Sequence, residues 1–458
     1  MICTTVKELL AEPIPGDLIE LRLDYFAKID LAQIRLFIKQ QQKPVIFTLR
    51  KKSQGGFYRG TEEERLQLLA QLADLNPAYM DLEYNIPTSW IKELERKHPS
   101  IKWIISYHNF TETPENLENL FQKMQQTPAH LYKIAVMSKN ILDTLRLLIW
   151  LKESGRKNVI GISMGSVGEP GRILAPFLGS PFTYASLHEE ENIAPGQLSY
   201  HELKRYTTFV HPTFYGLIGN PISLSPGHLV HNEIMAKEKL NALYVKMTVT
   251  LEELPSFMLL IKQLNFRGLS VTMPLKEAIL PFIDSLSPDA KEIGAVNTLL
   301  IENGKIKGFN TDGKGAILAL KKHTSLAGKK VIIIGAGGTA KAILYEVKKA
   351  GAEVILINRD ANRGKRVAEL FNVPFLELAK VCLKSPYDIL INATPHPAPI
   401  DPESILPETF VMDVNTQHKD TAFLQAAQSR KCKIVSGYEM FLQQAAMQRE
   451  IWFPTAHN

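Results

Sequence analysis

The sequence predicts an α/β protein in two parts: an N-terminal (β/α)8 TIM barrel, then a two-lobed α/β unit whose second lobe carries the Rossmann pattern. Three observations predict it. Short apolar, β-rich runs recur at a spacing of roughly 25 residues over positions 1–208, with helix-like stretches between them. A fresh apolar run begins at Phe214. A strand, a G-x-G-x-x-A turn and a helix start follow one another at 331–343.

The barrel strands are expected at 1–5, 18–23, 44–49, 78–84, 102–107, 131–137, 158–164 and 182–187. Between them, Thr61 and Glu64 stand at capping-box spacing, and 142–151 is apolar at helical spacing. Helical patterning is weakest in the last two intervals. Functional residues of such barrels gather at the C-terminal ends of the strands. Here the second strand ends in Glu20, Arg22 and Asp24, and the third in Arg50, followed by Gln54-Gly55-Gly56. The fourth carries Asp81 and Glu83, the fifth ends in His108 and the sixth holds Lys133. Arg172 follows the seventh, and Ala194-Pro195-Gly196-Gln197 the eighth.

Two lysines stand in apolar strand-like runs where Val or Ile is ordinary. Lys133 alternates with Leu131, Ala135 and Met137, and Lys276 closes the run 270–276. Burial strips hydration from an ammonium, lowers its pKa and frees a nucleophilic or proton-transferring amine. Each lysine also has a bland reading, in which the stem packs and the charge reaches water. A single strand-end histidine is ordinarily structural, and Arg22 with Asp24 reads equally as a bottom-layer ion pair. The joint pattern favours chemistry: Lys133 for a Schiff base with a carbonyl substrate, His108 for general acid–base work, and Arg50 and Arg172 for carboxylate and hydroxyl recognition.

Composition narrows the class. The 458 residues are 45% hydrophobic and 22% charged with net charge +6, ordinary for a globular protein. No Lys/Arg block is long enough to suggest a nucleic-acid partner, and small anionic substrates account for the excess. Cys3, Cys382 and Cys432 lie far apart, which gives no metal spacing and no disulfide framework. No metal is expected, and a reducing compartment is. With no signal-like N-terminus and no long apolar run, the expectation is a cytoplasmic protein without membrane contact.

In the second part, Gly335, Gly337 and Gly338, with Thr339 and Ala340, form a turn that lets a pyrophosphate approach a helix N-terminus. The next strand, 353–357, ends in Asn358-Arg359-Asp360, and Arg363 follows. Arginine suits a 2′-phosphate, so NADP(H) is expected over NAD, although nearby Asp360 keeps NAD open. Upstream, Ser223, Ser225, Thr272, Lys276, Asn297 and Asp312 each follow an apolar run. Lys276 with Asp312 would move the proton of an alcohol while a nicotinamide exchanges hydride. Taken alone, Asn310-Thr311-Asp312-Gly313 is a turn.

Residues 1–208 resemble type I 3-dehydroquinate dehydratase through Glu20-Leu21-Arg22-Leu23-Asp24, Phe47-Thr48-Leu49-Arg50, Ser106-Tyr107-His108, Lys133-Ile134-Ala135, Ile162-Ser163-Met164-Gly165 and Ala194-Pro195-Gly196-Gln197. The resemblance implies an imine between Lys133 and the C3 ketone, removal of the C2 proton by His108, and loss of the C1 hydroxyl as water. It implies substrate contacts from Glu20, Arg22, Arg50, Arg172 and Gln197. Two departures stand out. Gln54 replaces the family's glutamate, and can hydrogen-bond His108 but not relay a proton. Ile193 replaces a serine.

Residues 212–458 resemble shikimate dehydrogenase through Gly219-Asn220-Pro221-Ile222, Val271-Thr272-Met273-Pro274-Leu275-Lys276, 294–299, 310–313, the Gly335 turn, Asn358-Arg359, Asn392-Ala393-Thr394 and Gln444 within 440–446. The resemblance implies catalysis by Lys276 and Asp312, with substrate held by Thr272, Asn297 and Gln444. It also implies a serine pair for the substrate carboxylate, which Ser223, Ser225 and Gly227 match in two registers. Thr394 falls among the nicotinamide contacts, but Pro395-His396-Pro397 departs from the family there, and no tyrosine stands near 415–417.

The expected domains are a barrel at 1–208, a substrate lobe at 212–322 completed by about 433–458, and a Rossmann NADP-binding lobe at 323–432. The expected function is bifunctional: dehydration of 3-dehydroquinate, then NADPH-dependent reduction to shikimate. The alternatives are a shikimate or quinate dehydrogenase with a weakened dehydratase half, and a non-enzymatic metabolite sensor. Oligomeric state stays open.

Overall fold

The computed structural model describes residues 1–189, 194–207, 209–223, 225–380, 386–416 and 421–454. Ile193, Cys382 and Gln417 lie outside the described residues. The chain divides into two compact units, Met1–Pro212 with Ser256–Leu264, and Thr213–Pro255 with Asn265–Asn458.

The first unit holds eight parallel strands: β1 (Ile2–Val6), β2 (Leu18–Arg22), β3 (Val45–Thr48), β4 (Tyr79–Glu83), β5 (Lys102–Asn109), β6 (Leu131–Met137), β7 (Val159–Met164) and β8 (Thr183–Ser186). Their near-continuous burial, complete in β1, β2, β3, β7 and β8, follows from apolar packing on both faces of a parallel sheet. The ladder runs β7-β6-β5-β4-β3-β2-β1-β8. Between β7 and β8 no strand pairing closes the ring among the described residues. Ser180, just before β8, spans that seam instead: its Oγ donates to Val159 O at 3.2 Å and accepts Gly161 N–H at 2.8 Å.

Helices lie where the caps predict. Thr61 and Glu64 make both reciprocal bonds of the capping box at the head of Glu62–Ala73. The helix Ile141–Ser154 ends at Gly155 in the left-handed region (φ 63°), which glycine adopts without a Cβ penalty. Among the described residues, the α-helices of the last two intervals are short, Glu169–Leu174 and Tyr200–Lys204.

The second unit has two six-stranded sheets. The first orders β10 (Ala242–Thr248), β9 (Thr213–Gly219), β11 (Phe266–Val271), β13 (Thr298–Glu302), β14 (Lys305–Phe309) and β12 (Ser285–Leu286), with β13 antiparallel to both neighbours. The second orders β17 (Phe375–Glu377), β16 (Glu353–Asn358), β15 (Lys330–Ile334), β18 (Ile389–Asn392), β19 (Phe410–Asp413) and β20 (Lys433–Val435), all parallel. That is the doubly wound order, whose ligand crevice opens between β15 and β18.

The final helix, Gly437–Trp452, returns to the first sheet. Trp452 Nε1 donates to Leu299 O at 2.9 Å. Gln448 is fully satisfied: Nε2 donates to Asn297 O and Thr298 Oγ1, while Oε1 faces Ser270 Oγ at 2.9 Å and His231 Nε2 at 3.1 Å.

One expectation is corrected. Lys276 does not close a strand. β11 stops at Val271, and Lys276 sits in the helical turn Leu275–Ala278. Pro274 has no N–H to continue a ladder, and Leu275 N–H closes the turn on Thr272 O at 2.9 Å.

Candidate active sites

A cavity opens within the barrel, with about 520 Å³ of empty space that includes its open mouth. Its lining includes Glu20, Arg22, Arg50, His108, Lys133, Arg172 and Gln197. Alternation along β6 puts Lys133 in the lumen. Its row neighbours Leu131, Ala135 and Met137 pack in the cluster that holds Ile162, Met164 and Tyr184.

Lys133 is nevertheless not alone among apolar groups, as its strand pattern implied. Nζ lies 3.1 Å from Asp81 Oδ2 and 3.4 Å from Glu20 Oε1. Glu20 also accepts from Thr5 Oγ1 at 3.0 Å and Thr48 Oγ1 at 2.9 Å, which fixes its carboxylate beneath the amine. Arg50 pairs with Asp81 at 2.8 Å and donates to Ser106 Oγ at 2.6 Å. Burial pushes Asp81 upward, but Arg50 and Lys133 outweigh it and hold the carboxyl well below its usual range. Arg22 forks onto Asp24 at 2.9 and 2.8 Å, so the ion pair exists, but at the cavity.

Among the described residues, His108 and Arg172 each leave one buried side-chain atom at the cavity without a hydrogen bond. The His108 ring Nδ1 is buried without a hydrogen bond. Burial, then the cations Arg50 and Lys133, hold this imidazole well below its ordinary pKa. Arg172 donates Nη2 to Pro195 O at 3.0 Å, while its Nε has no partner and no described carboxylate pairs with it. Burial pulls it down to about 10, and it remains a cation at neutral pH. Gln54 accepts the backbone N–H of His108, not the ring. Gln197 Oε1 accepts Ala194 N–H at 3.2 Å.

In the second unit Lys276 Nζ pairs with Asp312 Oδ2 and donates to Thr339 Oγ1 at 2.8 Å. Thr339 Oγ1 also donates to Asp312 Oδ2 at 3.1 Å. Asn297 Nδ2 lies 2.7 Å from Asp312 Oδ1 and 2.9 Å from Gln444 Oε1. Asn310–Gly313 is therefore more than a turn: Asp312 opens the helix Asp312–Lys321 with its carboxylate inside this cluster. Thr272, four residues before Lys276, is half-buried. Neither serine joins the cluster. Ser225 Oγ accepts Gly227 N–H at 3.3 Å, and Ser223 offers its carbonyl to Lys246 at 3.4 Å.

The nucleotide turn is shaped for close approach. Gly335 has φ 116°, and a Cβ there would meet Ala393 O and Thr394 Cγ2 at 3.0 Å. A Cβ on Gly338 would lie 3.0 Å from Lys276 Cβ, so this glycine lets the two lobes meet. Gly337 leaves the helix Gly338–Lys349 without a side-chain cap, and Ala340 is buried in its first turn. Asn358 Nδ2 donates to Asp360 O, and the Asp360 carboxylate accepts Arg363 N–H at 3.0 Å. Arg359 is exposed. Arg363 donates Nε to Ala336 O at 3.0 Å and Nη2 to Glu277 Oε1 at 2.7 Å. Lys341 takes the other Glu277 oxygen at 2.7 Å. Thr394 Oγ1 donates to Asn392 Oδ1 at 2.7 Å. Glu277 and Lys341 were not singled out by sequence. Glu277 stands beside Lys276 and Lys341 follows Ala340 in the nucleotide turn, and each looks like any solvated charge in sequence.

The fold and sites define a class: a barrel with a lysine in its lumen, joined to a two-lobed dinucleotide-binding unit. Residues 5–213 match type I 3-dehydroquinase, 217–299 the shikimate dehydrogenase substrate binding domain, and 317–423 shikimate / quinate 5-dehydrogenase. The chain is 35% identical to "Shikimate biosynthesis protein AroDE" of Chlamydia pneumoniae, over 99% of this chain and 93% of the relative. It is 34% identical to the chloroplastic "Bifunctional 3-dehydroquinate dehydratase/shikimate dehydrogenase" of Arabidopsis thaliana, over 99% of this chain and 79% of the relative. It is 35% identical to "Shikimate dehydrogenase (NADP(+))" of Carboxydothermus hydrogenoformans, over 52% of this chain and 90% of the relative. The chain belongs to the bifunctional type I 3-dehydroquinate dehydratase/shikimate dehydrogenase family.

Proposed function

We propose that the barrel cavity dehydrates 3-dehydroquinate and that the Lys276–Asp312 cluster serves the reduction of its product to shikimate. The observation that carries this reading is Lys133, buried in the lumen beside His108, whose ring nitrogen Nδ1 has no partner. In the barrel, Lys133 Nζ adds to the C3 ketone, and loss of water leaves an iminium. His108 removes the C2 proton, the electron pair flows into the iminium, and the imidazolium of His108 then returns that proton to the C1 hydroxyl, which leaves as water. Hydrolysis returns the amine and 3-dehydroshikimate. A neutral His108 suits proton abstraction, and burial keeps it neutral. Arg172, a buried cation without a carboxylate partner among the described residues, receives the substrate carboxylate. Glu20, Arg22, Arg50 and Gln197 complete the holding set.

In the second unit Lys276 and Asp312 hold the proton delivered to the carbonyl oxygen, and Thr272, Asn297 and Gln444 position the ring. Ser223 and Ser225 remain the carboxylate candidates. The nucleotide turn fits NADP(H). Gly335 sits at positive φ, a Cβ on Gly337 would meet only the Arg363 guanidinium, at 3.9 Å, and the helix start has no side-chain cap. Asp360 is spent on capping its own helix, which leaves Arg359 and Arg363 to face a 2′-phosphate. NADPH, when bound, supplies the hydride. Gly338, Thr339, Ala340, Asn358 and Thr394 line the remainder of that site. We place the enzyme in the cytoplasm, a reading supported by the buried free thiols Cys3 and Cys432.

Borohydride added with 3-dehydroquinate is expected to label Lys133 covalently. A protein that dehydrates yet stays unlabelled would falsify the imine. Incubation with 3-dehydroquinate and NADPH is expected to yield shikimate. Shikimate formed only from supplied 3-dehydroshikimate favours a weakened dehydratase half, a reading motivated by Gln54.

A further inference from the structure

Among the described residues, three polar atoms on the wall of the barrel cavity are buried without hydrogen-bond partners: His108 Nδ1, Arg172 Nε and Tyr184 Oη. The first two belong to residues already given work by the reaction. The third does not. Tyr184 lies in β8, is 3% exposed, and pairs across the ladder with Cys3 of β1. The pleat turns its ring inward, among Ile162, Met164 and Ala135. Lys133 Nζ stands 4.1 Å from the centre of that ring, within range of a cation–π contact.

A buried phenol with no partner is costly. The hydroxyl forfeits its bonds to water and gains nothing in exchange, and a phenylalanine would pack the same space without that loss. Buried polar groups in folded proteins are nearly all bonded, so an exception asks for an explanation. Here the orphan lies on the wall of a cavity that also presents an unpartnered guanidinium nitrogen and an unpartnered imidazole nitrogen. A hydroxylated carboxylate entering the cavity supplies oxygens to all three. The phenol also stays protonated. Burial pushes its pKa well above the ordinary value, and Glu20 and Cys3 push the same way. It is therefore a neutral hydroxyl, free to donate.

We propose that Tyr184 is a substrate-contacting residue of the barrel site, its hydroxyl hydrogen-bonding an oxygen of the bound hydroxy-acid while its ring faces the Lys133 nitrogen. The two ends of the side chain then have separate tasks. The ring lies against the nitrogen that becomes cationic in the iminium, and the hydroxyl anchors the substrate over it. This rests on the reading of the barrel cavity as the dehydratase site.

The test is Tyr184→Phe, which removes the hydroxyl and keeps the ring. One hydrogen bond between neutral groups corresponds to roughly a three- to tenfold change, so kcat/KM for dehydration is expected to fall by about that factor. Borohydride labelling of Lys133 is expected to persist, and the thermal midpoint to stay level or rise. Tyr184→Leu, which removes the ring as well, is expected to label more slowly than Tyr184→Phe. A Tyr184→Phe enzyme with unchanged kcat/KM, or one whose thermal midpoint falls along with its activity, overturns the proposal. Failure of the underlying reading looks different: the unsubstituted protein itself then goes unlabelled by borohydride and substrate.

Discussion

Gln54 Oε1 accepts the backbone N–H of His108 at 3.0 Å, and the imidazole takes no part in the bond. The two residues are thus coupled through the main chain. Gln54 fixes the end of β5 and leaves the ring to be tuned by Arg50 and Lys133.

A carboxylate at position 54 accepts the same bond and adds a negative charge near a ring that burial and two cations hold neutral. Gln54→Glu is therefore expected to favour the imidazolium, moving the acid limb of the dehydratase pH–rate profile upward by about one unit. Dehydration at neutral pH is expected to rise severalfold. The profile and kcat for dehydration check this, and an unchanged profile shows that Gln54 acts only as a loop anchor.

Acid sensitivity follows from two buried histidines. Burial holds His108 well below its ordinary value and pulls His231 down to about 4. Below the unfolded pKa of about 6.5 the unfolded chain binds protons that the native chain refuses, so stability falls as pH drops through that value. For His231 the loss between about pH 7.5 and about pH 5 is roughly 2 kcal/mol. Thermal midpoints across that range check it. His231→Gln, which keeps a donor for Gln448 Oε1, is expected to flatten the dependence.

Glu277 shares its two oxygens between Lys341 and Arg363, tying the turn that carries Lys276 to the nucleotide lobe. Arg363 is half-exposed, so its share of this pairing is modest, of order 1 kcal/mol or less. Glu277→Gln is expected to release Arg363 toward a cofactor phosphate and lower the KM for NADPH by about two- to fivefold. The KM for shikimate is expected to stay level. Steady-state kinetics of the dehydrogenase half decide it, and a raised KM for NADPH means that Glu277 orders the cofactor site instead.

The legible features were those with local causes. Strand runs, the Thr61–Glu64 box and the Gly335 turn are written in neighbouring residues, because pleat, cap and turn each depend on spacings of a few positions. Alternation along 131–137 gave Lys133 a face before any partner was visible. The same reasoning failed at Lys276, where apolar composition suggested a strand and Pro274 ended one.

By itself, then, the sequence determined the eight-strand barrel and the two α/β lobes, and it singled out Lys133, His108, Lys276 and Asp312 as candidates for chemistry. Tertiary structure decided their company. It set Asp81 and Glu20 against Lys133, turned Gln54 to the backbone of His108, joined Glu277 to Arg363 across 86 positions, and left the Tyr184 hydroxyl without a partner. Hydrogen bonds and charges act over a few ångströms of space, and separation along the chain does not reveal which groups will share it.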